Sequence, residues 1–243
     1  MNEDGTGVTQ LTTDLDAFNA AWSPDGTRIA FTRIINGAFD IFVMNADGTG
    51  VTKLTSSSPA SSRKPVWCRD RIAFYSDREG DNEIYVMNVD GTGVTRLTFA
   101  PGLDGDPTWS PSCGQIAFTS KRDGFWQIYV INADGTGEKR LSDARASDEF
   151  PAWSPDGSRI AFTSSRDGYY EIYVVNADGT GLTRLTGDTA GNRFAEWSPD
   201  GRRIAFTSDR GGSDDVYVMN ADGTNVIRVT NDRATDWGPA WRR

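Results

Sequence analysis

A hexamer close to NADGTG recurs six times along the 243-residue chain, and its spacing sets the predicted fold. The copies begin at residues 2, 45, 88, 132, 176 and 220. Tryptophan keeps the same period of about 44 residues, and every unit carries four short runs rich in β-branched and aromatic residues. These observations predict an all-β protein, a β-propeller of four-stranded antiparallel blades.

Each unit contains four predicted strands in a fixed order. The first ends at the tryptophan, as in FPAWS; the second reads RIAFT; the third reads EIYVVN; the fourth reads LTRLT. The run IAF is apolar throughout, as expected of a strand that is covered on both faces. Because such a blade has two apolar faces, neighbouring blades must pack together, with the tryptophans between them.

The strand count predicts five complete blades and part of a sixth. The complete blades span roughly residues 19–55, 64–98, 106–142, 150–186 and 194–230, and the partial blade combines 1–12 with 238–243. Either the chain is a fragment of a six-bladed propeller, or five blades close on themselves and both ends are spare. We expect the first. Unfilled strand edges would then invite self-association or a partner strand.

One longer pattern links these units to a known family. The pattern W-S-P-D-G-x-R-I-A-F-T-S-x-R-D-G-x-x-x-I-Y-V-x-N-A-D-G-T-G resembles the TolB-type, WD-like β-propeller repeat, and residues 153–181 match it almost throughout. The resemblance covers essentially the whole chain. It implies a six-bladed fold, a periplasmic or extracellular location and a role in binding other proteins. Because one fold serves many functions, the resemblance is more specific for the fold than for the function.

Composition excludes several classes of function. The formal net charge is −9, which disfavours nucleic acid and anionic membranes as partners. No apolar run is long enough for a membrane span, so membrane insertion is not expected. The chain contains no histidine, which excludes histidine triads, histidine-ligated zinc and imidazole acid–base catalysis. The first residues, MNEDGTG, lack the basic and apolar segments of a secretory signal.

The hexamer itself is open to three interpretations: a phosphate cradle, a cation loop or a turn. A cradle needs a helix N-terminus behind its glycines, whereas here a predicted strand follows. A calcium loop needs several acids at alternate positions, whereas each copy has one or two. Asp-Gly is a strong hairpin signal. We therefore interpret the hexamer as the hairpin between the third and fourth strands.

Strand order assigns the loops to two faces of the propeller. The hairpins SPDG and NADGTG lie on one face, which we call the constant face. The connections from strand two to strand three, and from strand four to the next blade, differ between units and lie on the other face, which we call the variable face. Diverse loops on a rigid scaffold are typical of a recognition surface.

Aromatic residues on the variable face are the predicted partner-binding residues, because aromatic side chains form binding hot spots. They are Phe39, Phe125, Trp126, Tyr169, Tyr170 and Trp237. The alternative is that they only cover blade edges.

An arginine stands two residues before the glycine of the strand-two-to-three loop in four blades. We expect it to pair with a neighbouring loop acid or carbonyl and tie blades together, rather than contact a ligand. These arginines are Arg78, Arg122, Arg166 and Arg210.

Acids and amides stand five residues before the inner-strand tryptophans, where we place the channel mouth. Asp104, Asp148, Asn192 and Asp236 could together hold a hard cation such as Ca²⁺. The alternative is a solvated acidic rim. No other cofactor is predicted.

Two cysteines, Cys68 and Cys113, lie at the first hairpins of adjacent blades on the constant face. They are too few for a disulfide framework or an all-cysteine zinc site. Because sequence does not give the separation of their Cα atoms, we expect free thiols, with an inter-blade disulfide as the alternative.

The expected function is that of a non-enzymatic scaffold that binds a protein, or a peptide or glycan, through the variable face and channel mouth. The alternative is the regulatory propeller of a larger enzyme, such as a prolyl-oligopeptidase-like serine peptidase, whose propellers are similar. No G-x-S-x-G elbow occurs here, so catalysis would lie outside this chain. A propeller enzyme in its own right, such as a lyase, ranks last, since such enzymes use histidines and metal.

Overall fold

The computed structural model describes residues 9–12, 17–56, 59–143, 145–231 and 235–241. Twenty strands in these residues form five four-stranded sheets, and the sheets are the blades of a propeller. Within each sheet the strands follow chain order and pair antiparallel. The prediction of five complete four-stranded blades is thus confirmed. The described part of the chain includes no helix long and apolar enough to cross a membrane.

The strand bounds repeat from blade to blade. Blade one comprises β1 (Ala17–Trp22), β2 (Arg28–Ile35), β3 (Ala38–Asn45) and β4 (Thr52–Lys53). Blade two comprises β5 (Ser62–Cys68), β6 (Arg71–Ser76), β7 (Glu83–Asn88) and β8 (Thr95–Arg96). Blade three comprises β9 (Asp104–Trp109), β10 (Gln115–Ser120), β11 (Gln127–Asn132) and β12 (Lys139–Arg140).

The last two blades follow the same plan. Blade four comprises β13 (Asp148–Trp153), β14 (Arg159–Ser164), β15 (Glu171–Asn176) and β16 (Thr183–Arg184). Blade five comprises β17 (Asn192–Trp197), β18 (Arg203–Ser208), β19 (Asp215–Asn220) and β20 (Ile227–Arg228). The outer strands are shorter than the predicted runs. In blade four, the amide of Ile172 donates to the Thr186 hydroxyl at 2.9 Å, so a side chain replaces the backbone carbonyl where β16 ends.

The tryptophans of the inner strands fill the spaces between blades, as predicted. Trp67 of blade two packs in one cluster with Ala30, Ile41 and Val43 of blade one. The equivalent clusters join blades two and three, three and four, and four and five. The buried tryptophans are Trp67, Trp109, Trp153 and Trp197. The hydrophobic core is therefore divided among the blade junctions.

The first tryptophan is an exception to that prediction, because Trp22 is 58% exposed. It lies on blade one, and no described sheet packs on that side of it. The described residues form no sixth sheet, so the predicted sixth blade stays a prediction. Residues 1–8 and 242–243 of that predicted blade, with the first hexamer copy, lie outside the described residues.

The five described hexamers all form the hairpin between strands three and four. In the copy at 45–50, the Asp47 carboxylate accepts hydrogen bonds from the Thr49 hydroxyl at 2.6 Å and the Thr49 amide at 2.9 Å. These bonds lower the pKa of Asp47. Gly50 has a φ of +66°, and a Cβ atom there would lie 2.8 Å from the Asn45 side-chain nitrogen, so the position favours glycine; Asn225 takes the same conformation in the last copy, with a φ of +55°. The Asp47 carboxylate therefore finds its hydrogen-bond donors within its own turn.

Cys68 and Cys113 form a disulfide, so the expectation of free thiols is wrong. Their Cα atoms lie 5.8 Å apart, because the first hairpins of blades two and three are neighbours on the constant face. In blade four, the equivalent hairpin is held by a 2.6 Å hydrogen bond from Ser154 to Asp156, whereas blade three has Ser112 in place of that aspartate. The Ser112 hydroxyl still lies 3.1 Å from that of Ser110, so the disulfide adds a covalent link between blades two and three to an intact turn.

A buried polar residue at or near the start of the third strand of every blade holds the outer strand in place. These residues are Asp40, Glu83, Gln127, Glu171 and Asp215. In blade two, Glu83 accepts a 2.6 Å hydrogen bond from the Thr98 hydroxyl and pairs with Arg96. Burial is the main reason that the pKa of Glu83 rises to about 7, and the charge of Asp104 on blade three adds to the effect.

The junction of blades two and three thus contains two buried carboxyl groups. Burial also raises the pKa of Asp104, which forms an ion pair with Arg122 of its own blade at 3.3 Å. Since two neighbouring buried carboxylates destabilise each other, the pair favours retaining a proton near neutral pH. At the junction of blades four and five, an amide replaces one acid: Asn192 donates to Glu171 at 3.0 Å.

Removing the disulfide is expected to destabilise the protein. The bond closes a loop of 45 residues, and constraint of the unfolded chain by such a loop stabilises the folded state by about 4 kcal/mol. We expect reductant to lower the guanidinium unfolding midpoint of the native chain. A variant with both Cys68→Ser and Cys113→Ser should unfold at that lower midpoint with or without reductant. An unchanged midpoint for the native chain in reductant would contradict a stabilising role.

Stability should fall as the pH rises from about 4.5 to about 7, because the pKa of Glu83 is higher in the folded chain than in the unfolded chain. Below this window the proton is bound in both states, and the contribution of Glu83 to stability is fully present. Glu83→Gln should remove a loss of about 2–3 kcal/mol across the window, measured by urea unfolding at pH 5 and pH 8.

Glu171→Gln is the matched control, because Glu171 occupies the same position and faces the Asn192 amide instead of a second carboxyl group. Both variants lose a hydrogen-bonded carboxylate, so Glu171→Gln measures the cost of that loss where no second carboxyl group is present. Equal pH dependence for the native chain and Glu83→Gln would exclude the carboxyl pair as its source.

Candidate functional site

Hydrogen bonds between loops confirm the two faces of the propeller. On the constant face, the amide of Ala46 donates to the carbonyl of Thr27 at 2.9 Å, which joins the two hairpins of blade one. On the variable face, the amide of Lys121 donates to the carbonyl of Leu103 at 2.8 Å, which joins the loop entering blade three to the loop after β10. These two loops of blade three are therefore held together on the variable face.

The structure divides the six predicted aromatic residues into two groups. Phe125, Tyr169 and Trp237 are 47%, 51% and 67% exposed. The other three, Phe39, Trp126 and Tyr170, are half-buried.

The half-buried aromatics contact cationic side chains nearby. The Arg63 guanidinium lies 4.4 Å from the ring centre of Phe39, and that of Arg193 lies 4.4 Å from Tyr170. Each of these contacts joins neighbouring blades, so blade-edge packing accounts for Phe39 and Tyr170. A partner-binding role for the six residues stays a prediction.

Two exposed apolar residues were missed by the sequence reasoning. Phe99 is 69% exposed, and Leu103 is also exposed. Both lie on the loop that leads into blade three, beside the loop that carries Phe125 and Trp126. We call these four residues the apolar patch. Two large apolar side chains in a Pro- and Gly-containing loop, TFAPGLDGDP, were the available signal.

Three of the four residues predicted to bind a cation, Asp104, Asp148 and Asn192, are fully buried. Asp236 is half-buried in the segment 235–241. Among the described residues, no group of three or more acidic or cysteine side chains is arranged to hold a metal ion. A Ca²⁺ site formed by these four residues stays a prediction.

The recurring arginines bind these buried residues within their own blades. Arg166 Nη2 lies 2.8 Å from Asp148 Oδ2, and Arg210 Nη2 donates to Asn192 Oδ1 at 2.8 Å. The prediction that the arginines tie neighbouring blades together is therefore wrong for Arg166. The reason is register: Asp148 pairs directly with Ser164 of the adjacent strand, and Arg166 follows two residues later. Arg210 also reaches Asp188 of the preceding loop, at 2.9 Å.

A different set of residues points into the channel. Each innermost strand contains a β-bulge, where the register shifts and one residue takes a positive φ. These residues are Asn19, Lys64, Asp106, Phe150 and Phe194, with φ of 52°, 53°, 50°, 57° and 57°. The amide of Phe194 donates to the Thr163 hydroxyl of the preceding blade at 3.2 Å, which fixes the bulge. A bulge of this kind re-aims a side chain.

The bulge side chains of four blades meet at the propeller axis. Lys64 Nζ lies 2.5 Å from Asp106 Oδ1 and 5.3 Å from the ring centre of Phe150. The ring of Phe150 lies 4.5 Å from that of Phe194, which lies 6.3 Å from that of Trp237. Because Lys64 and Phe150 belong to blades two and four, this contact crosses the channel. We call these five residues the channel cluster.

The channel cluster is close to a second carboxyl group. Burial raises the pKa of Glu149, and the charge of Asp106 raises it further, while Lys121 acts in the opposite direction. The Lys121 ammonium lies 5.9 Å from the ring centre of Trp126, a member of the apolar patch. Aromatic faces beside ammonium and carboxylate groups supply apolar, cation–π and hydrogen-bonding contacts.

Of the channel cluster, the sequence predicted only Trp237 as a functional residue. The predicted channel-mouth residues stand five positions before each tryptophan, whereas the four bulge residues of the cluster stand three before it. The four residues Lys64, Asp106, Phe150 and Phe194 differ in type, within repeats that are otherwise nearly identical. That variability was the available signal.

Solved structures share this fold. The chain is similar to a TolB-like protein from Agrobacterium tumefaciens, with 25% identity and a TM-score of 0.78 over 90% of this chain and 82% of that one. It is also similar to TolB from Acinetobacter baumannii, with 22% identity and a TM-score of 0.81 over 96% of this chain and 59% of that one. A puromycin-hydrolyzing peptidase from Mycobacterium tuberculosis shares the fold at 16% identity, with a TM-score of 0.71 over 87% of this chain and 37% of that one.

Sequence comparison points to the same family as the repeat pattern. No curated protein sequence matches the chain. The family model of the TolB β-propeller domain matches residues 5–102, 70–149 and 136–243, which together cover almost the whole sequence. The chain therefore belongs to the TolB β-propeller family.

Proposed function

We propose that this chain is a non-catalytic scaffold that binds a protein or peptide partner through the variable face and the channel mouth. The observation that carries the proposal is the exposure of Phe99, Phe125 and Trp237 on that face. Each is a large apolar side chain held on a rigid scaffold, and such residues supply most of the binding energy of protein interfaces. The fold shared with TolB structures supports a binding role.

The negative charge of this chain favours a basic partner. The chain carries a net charge of −9, so a partner with basic residues around an apolar centre would associate fastest. The apolar patch supplies the centre of such an interface, and the loop acids supply its polar rim. A polypeptide with mixed apolar and basic side chains fits this surface.

The location that we infer is periplasmic or extracellular. The disulfide between Cys68 and Cys113 supports an oxidising compartment, because such bonds are rare where thiols are kept reduced. The TolB structures of the same fold support it as well.

Substitutions in the apolar patch should weaken partner binding. A peptide library displayed on phage would be panned on the native protein, and the selected peptides titrated by calorimetry. Phe99→Ser and Phe125→Ser should each weaken binding by about 30-fold, because truncation of an interface hot spot costs about 2 kcal/mol.

Val51→Ser and Leu182→Ser are the matched controls, since both side chains are exposed and apolar but lie beside the hairpins of the constant face. They should leave the affinity unchanged. Peptides that lose affinity with the constant-face variants and keep it with Phe99→Ser and Phe125→Ser would overturn the proposal.

A further inference from the structure

The Lys64 ammonium occupies a ready-made cation site in the channel. On one side it meets the Asp106 carboxylate at 2.5 Å, and on the other it faces the ring of Phe150 at 5.3 Å. The ring of Phe194 contacts that of Phe150, and the exposed Trp237 contacts Phe194. We call these three rings the aromatic wall. A carboxylate combined with aromatic faces is the arrangement that proteins use to bind ammonium groups.

We propose that the channel cluster binds a protonated amine of the partner polypeptide. This amine displaces the Lys64 ammonium, which occupies the same position in the free protein. The amine is either a lysine side chain or a free N-terminus, because both present the same ammonium group. This inference rests on the proposed function, since it names the group by which the partner would enter the channel mouth.

The composition of the site favours a cation over other ligands. The Asp106 carboxylate lies 2.5 Å from the Lys64 ammonium, and the Phe150 ring faces that ammonium from 5.3 Å. An anion would have to approach this carboxylate, whereas a cation gains from it and from the π-face of Phe150. An aromatic wall also excludes water from one side of the ammonium group, which strengthens its attraction to Asp106.

Lys64 is able to leave the site. Its side chain is 31% exposed, and its four-carbon stem is flexible. The backbone beneath it is fixed separately, by a 3.1 Å hydrogen bond from the Lys64 amide to the Thr32 hydroxyl. The ammonium can therefore move into solvent while the bulge and the aromatic wall stay in place.

The experiment compares amine binding with and without the Lys64 ammonium. Lys64→Met keeps most of the apolar stem and removes the ammonium. The probes are acetyl-Gly-Lys-amide, with a side-chain amine, and Gly-Gly-amide, with a terminal amine; acetyl-Gly-norleucine-amide is the neutral reference. Binding is followed by the NMR signal of the Trp237 indole N–H.

Lys64→Met should bind at least one of the amine probes about tenfold more tightly than the native chain, because competition from the internal ammonium is gone. The two amine probes show which source of ammonium the site prefers. Adding Asp106→Asn to Lys64→Met should remove the gain. Should Lys64→Met lower the unfolding temperature, Lys64→Gln provides the same comparison with a polar side chain.

Lys53→Met is the matched control. Lys53 forms a similar ion pair with the buried Asp40, at 2.7 Å, between the outer and third strands of blade one. This variant should bind the probes as the native chain does. Equal affinity for Lys64→Met and the native chain, or equal binding of the norleucine reference and both amine probes, would overturn the inference.

The two proposals can fail separately. If panned peptides depend on Phe99 and Phe125 but Lys64→Met gains no affinity for either amine, only the channel inference falls. If Lys64→Met binds an amine as expected but no panned peptide depends on the apolar patch, the channel site stands and the proposed interface falls.

Discussion

The structure depends on one constraint, which is that a four-stranded blade has two apolar faces and can bury them only against other blades. Trp67 lies against Ala30, Ile41 and Val43 of the preceding blade, and each later junction repeats this contact. Because neighbouring blades bury each other's apolar faces, the loops at the two ends of the strands do not have to cover them. The repeated hairpins on one face and the diverse loops on the other follow from this division.

The same constraint explains what happens where the series of blades ends. Trp22 and Val229 stand on the two outermost described faces and are exposed, unlike their equivalents Trp67 and Leu97. The flanking segments nevertheless make contacts of the regular kind. Trp241 donates to a blade-five carbonyl at 3.0 Å, as Trp109 does to blade two at 3.1 Å. The rules of blade packing therefore extend to residues that belong to no described sheet.

Features set by local sequence, such as the strands and hairpins, could be predicted from the sequence. Features that depend on the distance between blades or on strand register could not. The hairpins were predictable because Asp-Gly sets a local conformation, as in residues 45–50. The disulfide was not, since it depends on how close two hairpins of different blades lie. The bulges were not either, because the strand run reads the same whether or not its register shifts between Arg63 and Val66. The channel cluster depends on those shifts, so the residues predicted at the channel mouth lie two positions before its four bulge members.

The bulge positions carry an argument about function that packing does not supply. Every bulge residue takes a positive φ, a conformation that glycine adopts freely and asparagine tolerates, as at Gly238 and Asn19. For a bulky side chain the same conformation costs about 1–3 kcal/mol, so a chain that needed only the bulge would favour glycine at all of them. Phe150 and Phe194 instead accept this cost and gain contact with each other across two blades. The aromatic contact offsets part of this cost, and the bulge supplies the backbone conformation that brings the two rings of neighbouring blades together.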